Sequence, residues 1–330
     1  MKTLQEFEAF FQKEMMADLK ILDQRRRDQV KRYTWIVLLT LLGLLLCVVL
    51  YLNFGRHSHS SAVGYIYLIT GLAILVTSAI VMSTWARDKT FYQDFKQKVI
   101  EPIVGFVSPD LQYEPRNFIG ADSFQRSRIF MKTVDRYTGD DMVQGKIDKT
   151  QIWFSEVKAE YKSTTTDNKG HTKTTWHTIF KGLFFIADFN KHFQTSTVVL
   201  PNRLGKGVLG NFLNKMNWVR REKHVRLEDP EFNKHFVVYG EDQIEARYVL
   251  STALMQRLTE FRKKHPNPIY VSFVNSFLYI AIAYQKDLFE PTWFKKLTRF
   301  SLVKEYFEDI QLAVSIVEEL NLNNRIWTKQ

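Results

Sequence analysis

Four carboxylates in the second half of the chain, Asp188, Glu228, Asp229 and Asp242, are interspersed with His192, His224 and His235. Acids and imidazoles gathered at one point would hold a divalent metal, or share general acid and general base work. The spacing shows no such convergence. There is no H-E-x-x-H pattern and no paired C-x-x-C, while Asp229 before Pro230 and Asp188 before Phe189-Asn190 have the form of turn and cap residues. No catalytic residue, metal-ligand set or cofactor is expected. An enzyme built on the acidic cluster is the rival reading.

Residues 205–210, Gly-Lys-Gly-Val-Leu-Gly, match G-x-G-x-x-G literally. A dinucleotide fingerprint starts at a strand end inside a βαβ unit. Here Pro201, Asn202 and Arg203 intervene and the surroundings read as antiparallel, so a loop opening a short helix is expected. The same stretch mixes Leu204, Val208, Leu209, Phe212, Leu213, Met216 and Trp218 with Lys206, Lys215, Arg220, Arg221, Lys223 and Arg226. An apolar body with a basic surround suits anionic lipid headgroups, the alternative being a surface helix buried against its own domain.

The elements that position these residues begin with two apolar runs, 33–53 and 62–85, neither holding a Lys, Arg, Asp, Glu or His. Each has about the 20 residues a helix needs to cross the hydrocarbon layer. Residues 54–61 alone separate them, so an antiparallel transmembrane hairpin is expected. Ionisable groups and broken helices are absent from both runs, which argues for an anchor rather than a transporter or an oligomeric pore. Gly43, Cys47, Gly71, Ala73, Thr77 and Ser78 are small enough for close helix contact.

Arg25, Arg26, Arg27, Lys31 and Arg32 precede the first run, and Arg87, Lys89, Lys96 and Lys98 follow the second. The connecting loop has Arg56, His57 and His59. The positive-inside rule then puts both termini in the cytoplasm of a multi-pass protein of the cell's inner membrane. The net charge of +11 is read the same way, as attraction to anionic headgroups rather than to nucleic acid. The lone cysteine, Cys47, excludes an intramolecular disulfide. The first 20 residues lack an apolar signal-peptide core, so the first span is expected to serve as an uncleaved signal anchor.

Four regions follow: an amphipathic, basic N-terminal helix (1–32), the hairpin (33–85), a stalk helix and linker (86–123), and a cytoplasmic domain (124–330). Leu4, Phe7, Phe11, Met15, Leu19 and Leu22 mark the first helix; Phe91, Phe95, Val99, Ile103 and Phe106 mark the stalk, interrupted by Pro102. Residues 108–123 read as loop. Strands are expected at 142–147, 151–161, 176–187, 195–200, 236–239, 269–273 and 277–284, with 163–175 an exposed hairpin tip. Helices are expected at 242–264 and around Val303, Phe307, Ile310, Val314 and Val317. The fold class is α+β, a mostly antiparallel sheet with a C-terminal helix, pleckstrin-homology-like by element order.

Three segments carry a family resemblance. Phe180-Lys181-Gly182-Leu183-Phe184-Phe185-Ile186-Ala187-Asp188-Phe189-Asn190-Lys191 is followed by Leu227-Glu228-Asp229-Pro230-Glu231-Phe232, then by Phe236-Val237-Val238-Tyr239-Gly240-Glu241-Asp242-Gln243-Ile244-Glu245-Ala246-Arg247-Tyr248-Val249-Leu250. With the hairpin, they resemble a bacterial membrane family catalogued as domain of unknown function 3137. The resemblance covers most of the chain after the stalk. It implies no activity, and it implies a LemA-type membrane protein as partner. The function expected is a membrane-anchored binding or assembly module.

Overall fold

The computed structural model of the chain describes residues 2–55, 61–86, 89–166, 170–189, 193–202, 223–320 and 322. It divides into two compact units, one of Gln5–Val99 with Glu290–Val303, the other built on Ile100–Phe289 and Lys304–Gln330.

The first unit is helical. Helix α1 (Leu4–Phe10) runs through a π-helical turn, Phe11–Met15, into α2 (Met16–Leu50), and a second π turn, Tyr51–Gly55, follows. Phe7, Phe11, Met15, Leu19 and Leu22 are buried, as their periodicity predicts. The spacing of four from Phe7 to Leu19 overshoots the 3.6-residue turn, and the wider π turn re-phases the stripe. Helix α3 (Ser61–Ala86) and α4 (Lys89–Phe95) come next, and a further π turn, Lys96–Ile100, sits in the equally four-spaced stripe Phe91, Phe95, Val99.

The second unit opens with α5 (Glu101–Val107), with Pro102 in its first turn, where a missing N–H costs nothing. Its described residues are dominated by one nine-stranded sheet, every pairing antiparallel, in the order β1-β2-β3-β4-β9-β8-β5-β7-β6. The strands are β1 (Leu111–Glu114), β2 (Arg136–Ile147), β3 (Thr150–Thr166), β4 (Thr172–Asp188), β5 (Thr197–Pro201), β6 (Lys223–Val225), β7 (Phe236–Gly240), β8 (Ile269–Val274) and β9 (Phe277–Ala283). The α+β class and large antiparallel sheet agree with the sequence. Strands β1 and β6 were not foreseen; they close the two ends of the sheet and do not pair with each other, so a pleckstrin-homology-like barrel is not shown.

The expected hairpin tip at 163–175 is mostly strand. The β3–β4 ladder continues out to Thr166↔Thr172, and Arg136 lies 3.8 Å over the Trp176 ring at its base. Threonines suit a pleated backbone even where it is solvated on both faces. Expected loop 108–123 contains β1 and the start of α6 (Ala121–Arg126).

The remaining helices among the described residues are α7 (Pro230–His235), α8 (Gln243–Val249), α9 (Thr252–Lys264) and α10 (Phe300–Glu319). The helix expected over 242–264 is broken after Leu250, because Ser251 caps α9 through its side chain and the N–H of Leu254.

The middle of the sheet is buried on both faces. One holds Val157, Ala159, Phe184, Ile186, Tyr279 and Ala281, packed against Ile119, Phe124 and Ile129 around α6. The alternate residues Phe154, Phe185, Ile280 and Val271 fill the other. This period-2 burial fixes the register, since a slip of one residue would exchange the two sets. At Gly182 a Cβ would stand 2.2 Å from the carbonyl oxygen of Ile282, so only glycine admits the approach of β9 to β4.

Candidate functional site

The sequence-predicted acids sit on different elements, and two of them cap helices. Asp229 is the N-cap of α7, its Oδ1 accepting the N–H groups of Glu231 and Phe232, with Pro230 in the first turn. Asp242 caps α8 in the same way, through Ile244 and Glu245. Glu228 is exposed in the turn before α7, and Asp188 ends β4 opposite Phe277. Among the described residues, none of the four joins a group of three acid, imidazole or thiol ligands within 4.8 Å. His192 lies outside the described residues; His224 is exposed on β6 and His235 ends α7.

Two further acids of the family-like segments hold backbone in the same manner. Glu241 accepts the N–H of Ser196 at 3.0 Å and pairs with Arg128 at 2.6 Å, and Glu245 accepts the N–H groups of Gln194 and Thr195, both at 2.8 Å. Together with the Asp242 cap, these tie the β7–α8 turn to the strand entering β5. A carboxylate that satisfies backbone donors is held in place by them and has little freedom for chemistry.

The basic lipid-contact candidates divide. Lys215, Arg220 and Arg221, like the glycine-rich 205–210, lie outside the described residues. Lys223 is exposed at the start of β6, and Lys31 and Arg32 are exposed on α2. Arg25 pairs with Asp94 and Arg27 with Asp23, each staying about half open to solvent. Arg26 is instead buried. Its Nε donates to Asp23 Oδ1 at 3.0 Å and its Nη1 to the carbonyl of Trp293 at 2.6 Å, so it holds protein rather than lipid.

Beyond this collar the helical unit changes character. Leu4–Asn53 is one helix long and apolar enough to cross a membrane. Trp35, Leu39, Leu42 and Leu46 on α2, and Ile66, Leu68, Ile69 and Leu72 on α3, are each more than half exposed, Leu68 at 70%. Aliphatic side chains facing outward around a whole helix would be unfavourable in water and are the ordinary condition in lipid. The two helices meet through small residues. A Cβ at Gly43 would lie 3.5 Å from Ile74, one at Gly71 3.8 Å from Leu44, and Cys47 Sγ is 4.0 Å from Thr70 Oγ1. The hydroxyls of Thr40, Thr70 and Thr77 bond back to carbonyls four residues earlier, which satisfies each within its own helix.

One titratable group was invisible to sequence reasoning. Glu156, on β3, is buried, and burial pushes its carboxyl up to about 7; Asp287 and Asp140 add to the rise, while the N–H of Leu288, donated at 2.8 Å, and nearby Lys181 oppose it. Lys181 is itself paired with Asp287 at 2.6 Å. Glu156 occupies a strand position like any other, so nothing local marks it.

Residues 178–322 match the family model described as Protein of unknown function (DUF3137). The match runs from within β4 past α10 and contains all three segments quoted above; it leaves out the helical hairpin and the first strands. Among curated proteins no match is found. Of solved structures, the crystal structure of the mycobacterial trehalose monomycolate transport factor A, TtfA, is similar at 11% identity, covering 67% of this chain and 95% of that one, with a TM-score of 0.30. That overlap is too small to assign a fold.

Proposed function

We propose that the protein is a membrane-anchored binding and assembly module of the bacterial inner membrane. Both apolar runs span, both termini are cytoplasmic, and the sheet unit engages a partner at the membrane surface. The outward-facing aliphatic sheath of α2 and α3 carries this reading, because water offers no compensation for it. Topology rests on the excess of Lys and Arg at the outer ends of the two runs over the loop that joins them. Binding is favoured over turnover because the carboxylates of Asp229 and Asp242 serve as helix caps. The partner implied by the family resemblance is a LemA-type membrane protein, with anionic headgroups as a second contact.

The test uses the full chain in native membranes. Alkaline carbonate should leave it in the pellet, and reporters fused to either terminus should read cytoplasmic while one inserted at 56–60 reads external. Extraction by carbonate, or termini on opposite sides, overturns the anchor. Cross-linking in the same membranes should give a discrete adduct with a second membrane protein; a single monomer band throughout overturns the assembly role.

A further inference from the structure

Residues Glu290–Val303 belong to the helical unit although they follow the sheet strands in sequence. They are held there from both sides. Asp23, only 2% exposed, accepts the N–H of Leu297 at 3.0 Å, and Arg26 donates to the carbonyl of Trp293. The Trp293 ring stacks on Phe91 with centroids 5.1 Å apart, and its Nε1–H donates to the Tyr92 hydroxyl at 3.3 Å. It also meets the ring of Tyr33 edge-on at 6.4 Å. Tyr33 is the first residue of the first apolar run, so Trp293 is fixed at the depth where that run begins.

The next residue is Phe294, 96% exposed, followed by exposed Lys295 and Lys296. Leu297 beyond them is fully buried. A phenylalanine held out by a backbone tied down on either side gains nothing in water, where its ring forfeits about 25 cal/mol for each Å² left uncovered. At the edge of a bilayer, an aromatic pair followed by two lysines is the composition that interfacial segments use. Exposed Lys31 and Arg32 lie just before Tyr33 on α2, adding cations at the same end of the run.

We propose that residues 293–296 are a lipid-insertion loop: Phe294 enters the boundary between headgroups and acyl chains of the leaflet from which α2 emerges, and Lys295 and Lys296 bind its anionic phospholipid headgroups. The proposal rests on the membrane-anchored reading above. It adds a second point of attachment, carried by a segment whose Trp293 lies 267 residues from Arg26 in the chain.

The full chain, with Cys47→Ser, is reconstituted into phosphatidylcholine vesicles with or without phosphatidylglycerol, carrying one environment-sensitive fluorophore on Phe294→Cys, Leu41→Cys or Ile244→Cys. Nitroxide lipids labelled near the headgroup should quench the probe at 294, more strongly with phosphatidylglycerol present. Deep nitroxides should quench the probe at 41, and neither should quench that at 244, which sits on exposed α8. Adding Lys295→Glu and Lys296→Glu should abolish the difference between the two vesicles. Quenching at 41 without quenching at 294 overturns the insertion loop and leaves the anchor standing. Loss of quenching at 41 as well overturns both. Equal quenching at 294 in the two vesicles overturns the headgroup contact.

Discussion

Glu156 is the side chain whose environment most alters its chemistry. The carboxyl's ordinary value is 4.5, and burial lifts it to about 7 in the folded chain. A raised folded value means that the protonated form suits the fold. The favourable contribution is complete below about pH 4.5 and is lost as the pH rises through 7. Glu156→Gln, which keeps an acceptor for the Leu288 N–H, should therefore be more stable than the native chain at pH 8, by up to about 3 kcal/mol, and should lose that advantage by pH 5. Thermal unfolding of the detergent-solubilised protein at the two pH values measures this; a gap independent of pH would show that the carboxyl is not the cause. Gly182 gives a complementary test. Since its Cβ would strike a carbonyl oxygen of β9, Gly182→Ala should cost roughly 1–3 kcal/mol, whereas Gly170→Ala, with open space around it, should be limited to the strain of its positive φ.

Helices and strands give two acids of the family-like segments their observed task, Asp229 and Asp242 each capping a helix. Asp242 satisfies two backbone donors of α8, so Asp242→Ala should destabilise by about 1 kcal/mol while Asp242→Asn retains most of the cap. A reaction carried by this carboxylate would instead be lost in both variants, so paired stability and activity measurements separate the roles. The same level explains the π turns. Stripes at 7-11-15-19 and 91-95-99 are legible as helix in sequence, but a strict spacing of four does not fit 3.6 residues per turn, and in each the structure inserts a wider turn. The break after Leu250 was legible too, in retrospect: Ser251 precedes Thr252-Ala253-Leu254 as an N-cap would, within a stripe that otherwise reads as continuous. β1 and β6 had no such marker. At four and three residues they are too short for a period of two to register.

For the molecule as a whole, the distribution of cations matters more than their number. The charge of +11 is concentrated at the outer ends of the two apolar runs and in the stretch after Leu204, and the short connecting loop has little of it. Neutralising Arg25, Arg27, Lys31 and Arg32 to Gln should loosen the orientation rule, so that an N-terminal reporter becomes partly external while carbonate resistance is unchanged. An N-terminus that stays wholly cytoplasmic would assign orientation to the second run or to the sheet domain. Arg26 is left out of that set because its loss would unseat the Trp293 segment and confound the result.

What could be learned from the chain as written is what depends on neighbours in sequence. A run of about 20 apolar residues suffices to mark a candidate span, alternation suffices for a half-buried strand, and an Asp before Pro-Glu suffices for a cap. The fold decided everything that joins distant residues: Asp23 with Leu297, 274 positions apart; Arg26 with Trp293, 267 apart; and Glu156 with Leu288, 132 apart. Periodicity reports whether a side chain is buried but not which partner buries it. For that reason Arg26 reads as one more basic residue before an apolar run until the structure turns it inward, and nothing in the sequence marks Phe294 as the residue left in the open.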